Sequence, residues 1–473
     1  MPHPQTRPDF EPTRFWEDDA VPTLSAYTTV PCLSPAFDAD WERAGHLADA
    51  AGLLADWGRA RRVEGLTVDV VAPPGRTPLL LAQAPATEGA AGTVLVYGHL
   101  DKQPPLGEWR DGLGAFTPVR RGDRLYGRGT ADDGYAFFAA LGALEALDAK
   151  RTPRPRVVVL VEASEESGSP DLPEHLDAQA PLLGVPDLVV CLDSGCLSYD
   201  RLWLTSSLRG NLVAAVTVQV LTEGVHSGSA GGVVPTSFRL LRRLLDRLED
   251  PSTGEVRLEA LHADVPDGVT DGAADVGWRA ADVYPIVPGL ELAGDSEPDR
   301  LVRRSWRPSL TVTGIDGVPP VRDGGNVLRP STTAKLSLRL PPTVDAQRAA
   351  AALTRALEDD PPDGARVTLS MEAPAMGWAA PPFEPWVTDA FERTSMQVFG
   401  KPPGTLGEGG TIPFLAMLGE RYPGVPLVAT GVLGPGSNAH GPNEFLHLPM
   451  AAAVTTATAE LLAATATHLG SPG

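Results

Sequence analysis

The apolar residues of this chain fall into two textures. In the first, short continuous runs stand between polar or glycine-rich breaks: Leu66–Val71, Leu79–Leu81, Thr93–Tyr97, Arg156–Val161 and Asp187–Leu192. Runs of this kind, closed by turn residues, predict strands buried on both faces. Helical spacing covers Asp38–Arg62, with Trp41, Leu47, Leu54 and Trp57 on the repeat, and Tyr135–Ala149, which is small and apolar almost throughout. Buried strands alternating with helices predict an α/β fold around a mostly parallel sheet. Such sheets place their chemistry beyond the carboxyl ends of their strands.

The second texture begins at Leu208-Arg-Gly210. Asn211–Leu221 alternates like a half-buried strand, Pro235–Leu248 has helical spacing, and Ser309–Thr313 and Ala334–Leu340 are strand-like. Val344–Leu357 is helical again and Arg366–Met371 is strand-like. This β-α-β-β-α-β order predicts an inserted α+β, ferredoxin-like domain. Within it, the polar and Pro- and Gly-rich stretch Glu249–Arg307 reads as a long irregular excursion. The first texture returns near Pro382, with a helix over Trp386–Phe399, a strand over Pro426–Thr430 and an amphipathic helix over Ala451–His468. The expected division is a catalytic domain over 1–207 and 381–473, interrupted by an inserted domain over 208–380.

At 473 residues the chain is long enough for two or three cores. Its 39 basic and 60 acidic residues leave a net charge of −21, which argues against nucleic-acid or anionic-membrane partners. Cys32, Cys191 and Cys196 are its three cysteines, too few for a disulfide framework or a cysteine-rich metal site. Met1–Phe15 is polar and Pro-rich without a signal-peptide core, and no apolar stretch is long enough to span a bilayer. A cytoplasmic, reduced protein is expected.

The chemistry gathers at the strand ends. Thr93–Tyr97 runs into Gly98-His-Leu-Asp101, where His99 and Asp101 point to one side of an extended backbone. Asp132 with Asp133, Glu165 with Glu166, and Asp193 follow at later strand ends or loops. The loop Gly434–Glu444 adds His440. Two imidazoles and several carboxylates without a thiolate suit a divalent metal: Zn²⁺, Mn²⁺ or Co²⁺. Two such ions sharing one carboxylate could serve hydrolysis. Gly127-Arg-Gly129 lacks the third glycine of a dinucleotide fingerprint, and no Gly-x-Ser-x-Gly elbow supports a serine hydrolase.

Six segments in order carry a resemblance. They are Tyr-Gly-His-Leu-Asp-Lys-Gln-Pro from Tyr97, Gly-Arg-Gly-Thr-Ala-Asp-Asp-Gly from Gly127, Glu-Glu-Ser-Gly-Ser from Glu165, Asp193, Val-His-Ser-Gly from Val225, and Asn-Ala-His-Gly-Pro-Asn-Glu from Asn438. Together they resemble the co-catalytic metallopeptidase family 20, which includes carnosinases, cytosolic dipeptidases, aminoacylases and desuccinylases. The likeness runs from the helix near Trp41 to the terminal helix. It implies a zinc-exopeptidase-like catalytic domain, an inserted lid and dimerisation domain, a homodimer, and two divalent ions, Zn²⁺ first with Mn²⁺ or Co²⁺ as alternatives.

Carried over residue by residue, the resemblance makes Asp132 the bridging ligand, followed by a cis peptide to Asp133. Glu166 and His440 would complete one metal site, and His99 and Asp193 the other. Glu165 would be the general base, and Asp101 would support His99 from behind. His226 would reach across the dimer to the oxyanion. Arg339, Asn326 and Thr411 would touch the carboxylate and carbonyl of the substrate. Thr411 lies in a Gly-Gly-Thr-Ile-Pro loop where relatives carry Ser. Glu444 reads as a structural residue holding the His440 loop, and the remaining histidines as surface or core. Asp193 in place of Glu favours the dipeptidase branch. Lys102, where animal dipeptidases usually carry Val, should be solvent-exposed or in touch with an acidic substrate group. The expected activity is metal-dependent hydrolysis of a dipeptide or short peptide. The rival is an N-acyl amino acid deacylase or desuccinylase. A non-catalytic binding relative is disfavoured because all five ligands and the base are present.

Overall fold

Each continuous apolar run forms a strand. The computed structural model describes residues 10–275, 277–410 and 413–470. Its first part supplies β1 (Thr67–Val71), β2 (Leu79–Ala84), β3 (Thr93–His99), β4 (Val119–Arg121), β5 (Arg124–Tyr126), β6 (Arg156–Glu162), β7 (Leu188–Cys191) and β8 (Trp203–Leu208). The middle supplies β9 (Gly210–Gln219), β10 (Val225–His226), β11 (Ser309–Asp316), β12 (Val327–Leu328), β13 (Ser331–Leu340) and β14 (Arg366–Met371). The last part adds β15 (Trp378–Ala379), β16 (Gly404–Glu408), β17 (Leu427–Ala429) and β18 (Phe445–His447).

The main sheet runs β1-β2-β6-β3-β7-β17-β8-β15, with β16 also paired to β8. Its centre, β6-β3-β7-β17, is parallel, as the buried runs require. Its flanks are antiparallel at β1–β2, β2–β6, β17–β8 and β15–β8, so the sheet is mixed. Both faces of the centre are covered. Val94 and Val96 face a core that includes the helices His46–Arg59, Tyr135–Lys150 and Leu448–Gly470, while Leu95 and Tyr97 face Leu172, Leu176 and Phe414 on the other side. Covering both faces removes the polar alternation of a surface strand.

The four-stranded sheet β11-β13-β9-β14 is antiparallel throughout, the ferredoxin-like order expected of the insertion. Leu212, Val216, Leu336 and Leu338 on one face pack against Leu240, Leu244 and Leu353 of the helices Ser237–Leu248 and Ala346–Glu358. Each such buried side chain contributes about 1.5–3 kcal/mol.

Four expectations change. The helix expected over Asp38–Arg62 is two, Trp41–Ala44 and His46–Arg59, broken where Gly45 turns into the left-handed region at φ 74°. Helices that the sequence did not announce begin at Pro12 and bury Phe15, Trp16, Leu24 and Tyr27 in the main core. The excursion over 249–307 is partly helical, at Asp267–Asp275, Ala280–Val283 and Glu297–Trp306. It returns to the main core through Ala273, Trp278, Leu301, Val302 and Trp306. The last of these helices is capped by Ser296 and carries an Asp299–Arg303 ion pair, which explains order within a polar stretch. Against the expectation that no apolar stretch reaches spanning length, Leu448–Gly470 is one helix among the described residues apolar and long enough to cross a membrane, and 72% of its apolar window is buried within the fold.

Candidate metal-binding active site

β3 delivers His99 to the carboxyl edge of the main sheet, between β6 and β7. The backbone there must let another chain segment come close. A Cβ on Gly98 would lie 2.6 Å from Asp133 Oδ2, the atom that accepts the His99 amide at 3.1 Å. The Asp132–Asp133 peptide is cis, as the resemblance implied.

Asp132 lies between two imidazoles. Its Oδ1 is 3.3 Å from His99 Nε2 and its Oδ2 is 3.2 Å from His440 Nε2. Each imidazole has a second carboxylate: Asp193 Oδ2 lies 4.0 Å from His99 Nε2, and Glu166 Oε2 lies 3.3 Å from His440 Nε2. Two overlapping sets of potential donors result, His99 with Asp132 and Glu166, and His99 with Glu165 and Asp193. His99 Nδ1 meets the Asp101 carbonyl at 3.1 Å, which leaves Nε2 turned toward the carboxylates.

The surrounding contacts hold these donors in place. The Asp101 carboxylate is 3.5 Å from His99 Nδ1, and its two oxygens accept the amides of Glu165 at 3.1 Å and Glu166 at 3.0 Å. It therefore fixes the Glu165–Glu166 turn as well as backing the histidine. Gln103 Nε2 donates to Glu166 Oε2 at 2.7 Å. Glu444 has the structural role expected of it. Its Oε1 accepts from the Ala131 and Asp132 amides, and its Oε2 pairs with Arg128 at 2.7 Å. Arg128 in turn donates to the Gly441 carbonyl beside His440. Gln103 and Arg128 were not singled out from sequence, although both lie inside the quoted segments.

The electrostatics reflect crowded carboxylates in low dielectric. Burial, followed by the Asp132 charge, pushes Glu166 up to about 8, and burial pushes Asp193 up to about 6. Glu165 is driven well above the ordinary range by burial and by Asp193. Asp132 is held far below that range because His440 and His99 outweigh its burial. Burial also lifts Glu162, at the end of β6, to about 7 while it accepts Tyr97, Ser164 and Ser169 hydroxyls. Several buried carboxylates around two imidazoles form a donor set that suits divalent cations.

Lys102 is neither exposed nor turned toward a substrate. It is fully buried, and its Nζ donates to the carbonyls of Tyr27 and Val30, each at 2.8 Å, at the carboxyl end of the Val21–Thr29 helix. The strand-end motif is thereby tied to the amino-terminal helix.

Of the remaining residues, only Arg339 lies on the four-stranded inserted sheet; His226 belongs to the separate two-stranded pair β10–β12, and Asn326 immediately precedes β12. His226 is exposed in β10, opposite Val327 of β12, and Ser227 N donates to the carbonyl of Asn326 at 2.9 Å. The structure thus brings His226 and Asn326 together, and no hydrogen bond or ion pair among the described residues joins them to the His99–His440 cluster. Arg339 is half-buried on β13, opposite Asn211 and Ser309. Thr411 lies outside the described residues.

Residues 95–467 match the family described as peptidase family M20/M25/M40. The chain belongs to this family. It is 30% identical over 382 residues to the cysteinylglycine-S-conjugate dipeptidase of Corynebacterium striatum, covering 79% of this chain and 81% of that protein. It is 28% identical to the human beta-Ala-His dipeptidase, over 78% of this chain and 74% of that one. In fold it is similar to human carnosine dipeptidase 1, with a TM-score of 0.81 at 22% identity, covering 99% and 100% of the two chains. As an M20-family metallopeptidase, the protein is a metal-dependent hydrolase.

Proposed function

We propose that this M20 peptidase is a two-metal dipeptidase. The observation that carries the reading is Asp132, whose two oxygens face different histidines, each accompanied by a further carboxylate. Asp132 would be shared, with Glu166 and His440 holding one ion and His99 and Asp193 the other. Zn²⁺ is the first expectation, Mn²⁺ and Co²⁺ the alternatives. Bound there, such ions supply Lewis acidity toward the scissile carbonyl and ease deprotonation of water.

The chain's own residues do the rest. Glu165, held by Asp101 through its amide, takes the proton of the attacking water and hands it to the leaving amine. His226 on β10 and Asn326 just before β12, brought together by the Ser227 amide donating to the Asn326 carbonyl, would serve the active site of a second subunit. Arg339 and Thr411 would receive the carboxyl end of the substrate, a planar guanidinium matching a carboxylate.

Dimerisation is supported by β11, an edge strand paired on one side by β13, with Val312 and Ile315 exposed along it. The division into 1–207, 208–380 and 381–473 is part of the same proposal. A cytoplasmic location accords with three buried free cysteines.

The dipeptidase reading is preferred over N-acyl amino acid hydrolysis because the similar curated proteins named above are dipeptidases. A panel of dipeptides and N-acyl amino acids, assayed after loading with Zn²⁺, Mn²⁺ or Co²⁺, tests it. Chelator-sensitive cleavage of dipeptides is expected. Exclusive cleavage of N-acyl amino acids, or turnover indifferent to chelation, would overturn it.

A further inference from the structure

The excursion over 249–307 returns to the end of β16, immediately before Gly409, Gly410 and Thr411 in the sequence. The approach is close. A Cβ on Gly407 would lie 2.7 Å from Ser305 Cβ, and one on Gly409 would lie 3.2 Å from both Arg304 O and Arg209 Nη2. Between these glycines, Glu408 Oε2 pairs with Arg304 at 2.5 Å. The Glu297–Trp306 helix is therefore the platform on which Gly407, Glu408 and Gly409 are seated.

Arg209 completes this arrangement. It occupies the single position between β8 and β9 and is 8% exposed. Its Nε donates to the Gly409 carbonyl at 3.2 Å. Its Nη1 donates to the Arg307 carbonyl at 3.3 Å and to Ser309 Oγ at 3.1 Å. One guanidinium thus joins Gly409, the carboxyl end of the platform helix and the first residue of β11. The planar fork fixes these directions together, and a cation at a helix carboxyl end is favoured by the helix dipole. Lysine has neither the fork nor the reach for all three.

We infer that Arg209 is a positioning residue for the substrate. It holds the Gly409 carbonyl and, through it, the orientation of the loop that receives the carboxyl end of the dipeptide. The inference rests on the proposed role of that loop. It also gives the excursion a purpose, since Arg307 O is one of the three anchors.

Arg209→Lys and Arg209→Met test it, compared with the native protein for steady-state kinetics, metal content and amide hydrogen exchange of the metal-free form. The expected result is a KM raised roughly 10- to 100-fold with kcat within about threefold. Metal content should be unchanged, and exchange should be faster in the segment 404–410. Faster exchange with an unchanged KM would overturn substrate positioning and leave a purely structural contact. Unchanged exchange in that segment would overturn the clamp itself. If Arg209→Met fails to fold, Arg209→Lys keeps the charge and decides the matter. A native protein inert toward the whole substrate panel would overturn the dipeptidase reading. The exchange comparison needs neither substrate nor metal, so it would still decide whether Arg209 holds the loop.

Discussion

Asp132 and Glu165 sit in one cluster with opposite electrostatic demands. Two imidazoles favour the Asp132 carboxylate, whereas burial and Asp193 disfavour that of Glu165. Their substitutions should separate accordingly. Glu165→Gln should retain its metal content and lose about 10²- to 10⁴-fold in kcat, as loss of a general base implies. Asp132→Ala should lose bound metal on elemental analysis. A Glu165→Gln protein that still turns over, or an Asp132→Ala protein with full metal, would break the assignment. These residues were legible in the sequence because each lies in a short local segment, Gly127–Gly134 and Glu165–Ser169, that carries the family resemblance. Lys102 was not, because its partners are backbone carbonyls at Tyr27 and Val30, which any residue could supply. Lys102→Met should leave those carbonyls without their donor and cost about 2–4 kcal/mol of stability in urea unfolding. An undiminished midpoint would show that the ammonium contributes nothing net.

At the scale of elements, legibility follows how much of a strand's environment is apolar. β3, β6 and β7 are covered on both faces, and their continuous runs announced them. β8 was missed, for its sequence Trp203-Leu-Thr-Ser-Ser-Leu208 mixes apolar and hydroxyl residues; Thr205 Oγ1 lies 2.6 Å from Ser194 Oγ, and Ser206 Oγ donates to the Leu406 carbonyl. The excursion was misjudged because its apolar residues are sparse and are completed only by a core distant in sequence. β11 was legible as a strand but longer than expected, and its outer edge is the unpaired side of the inserted sheet. If two copies meet along it, Val312→Lys with Ile315→Lys should give a monomer by light scattering, with subunit metal content retained. Mixing Glu165→Ala with His226→Ala subunits should then restore activity in verified heterodimers, because each mutant supplies what the other lacks. Heterodimers without activity would assign His226 a role within its own subunit.

For the whole molecule, the donor cluster couples stability to pH and to metal. Burial with the Asp132 charge lifts Glu166 to about 8, burial lifts Asp193 to about 6, and burial with Asp101 lifts Glu162 to about 7. Each carboxyl binds its proton more tightly in the folded chain than in the unfolded one, so folding loses stability as pH rises through these values. At His440, desolvation is outweighed by Asp132 and Glu166, which raise the imidazole to about 9. Its contribution is complete below the unfolded value of 6.5 and fades as pH climbs toward 9. Both kinds of group therefore act in the same direction. Asp132, held low, contributes above the ordinary carboxylate range and stays constant across this window. At the proposed ligands Glu166, Asp193 and His440, bound divalent ions would take the place of those protons, since ligands bind metal in their deprotonated forms. The melting temperature of the chelated protein should accordingly fall from pH 5 to pH 9. Loading with metal should raise it, and the gap between the two forms should widen with pH. The net charge of −21 adds repulsion to both forms, so the gap isolates the cluster. A chelated protein whose melting temperature rises over that range, or a gap that narrows, would place the titrating groups elsewhere.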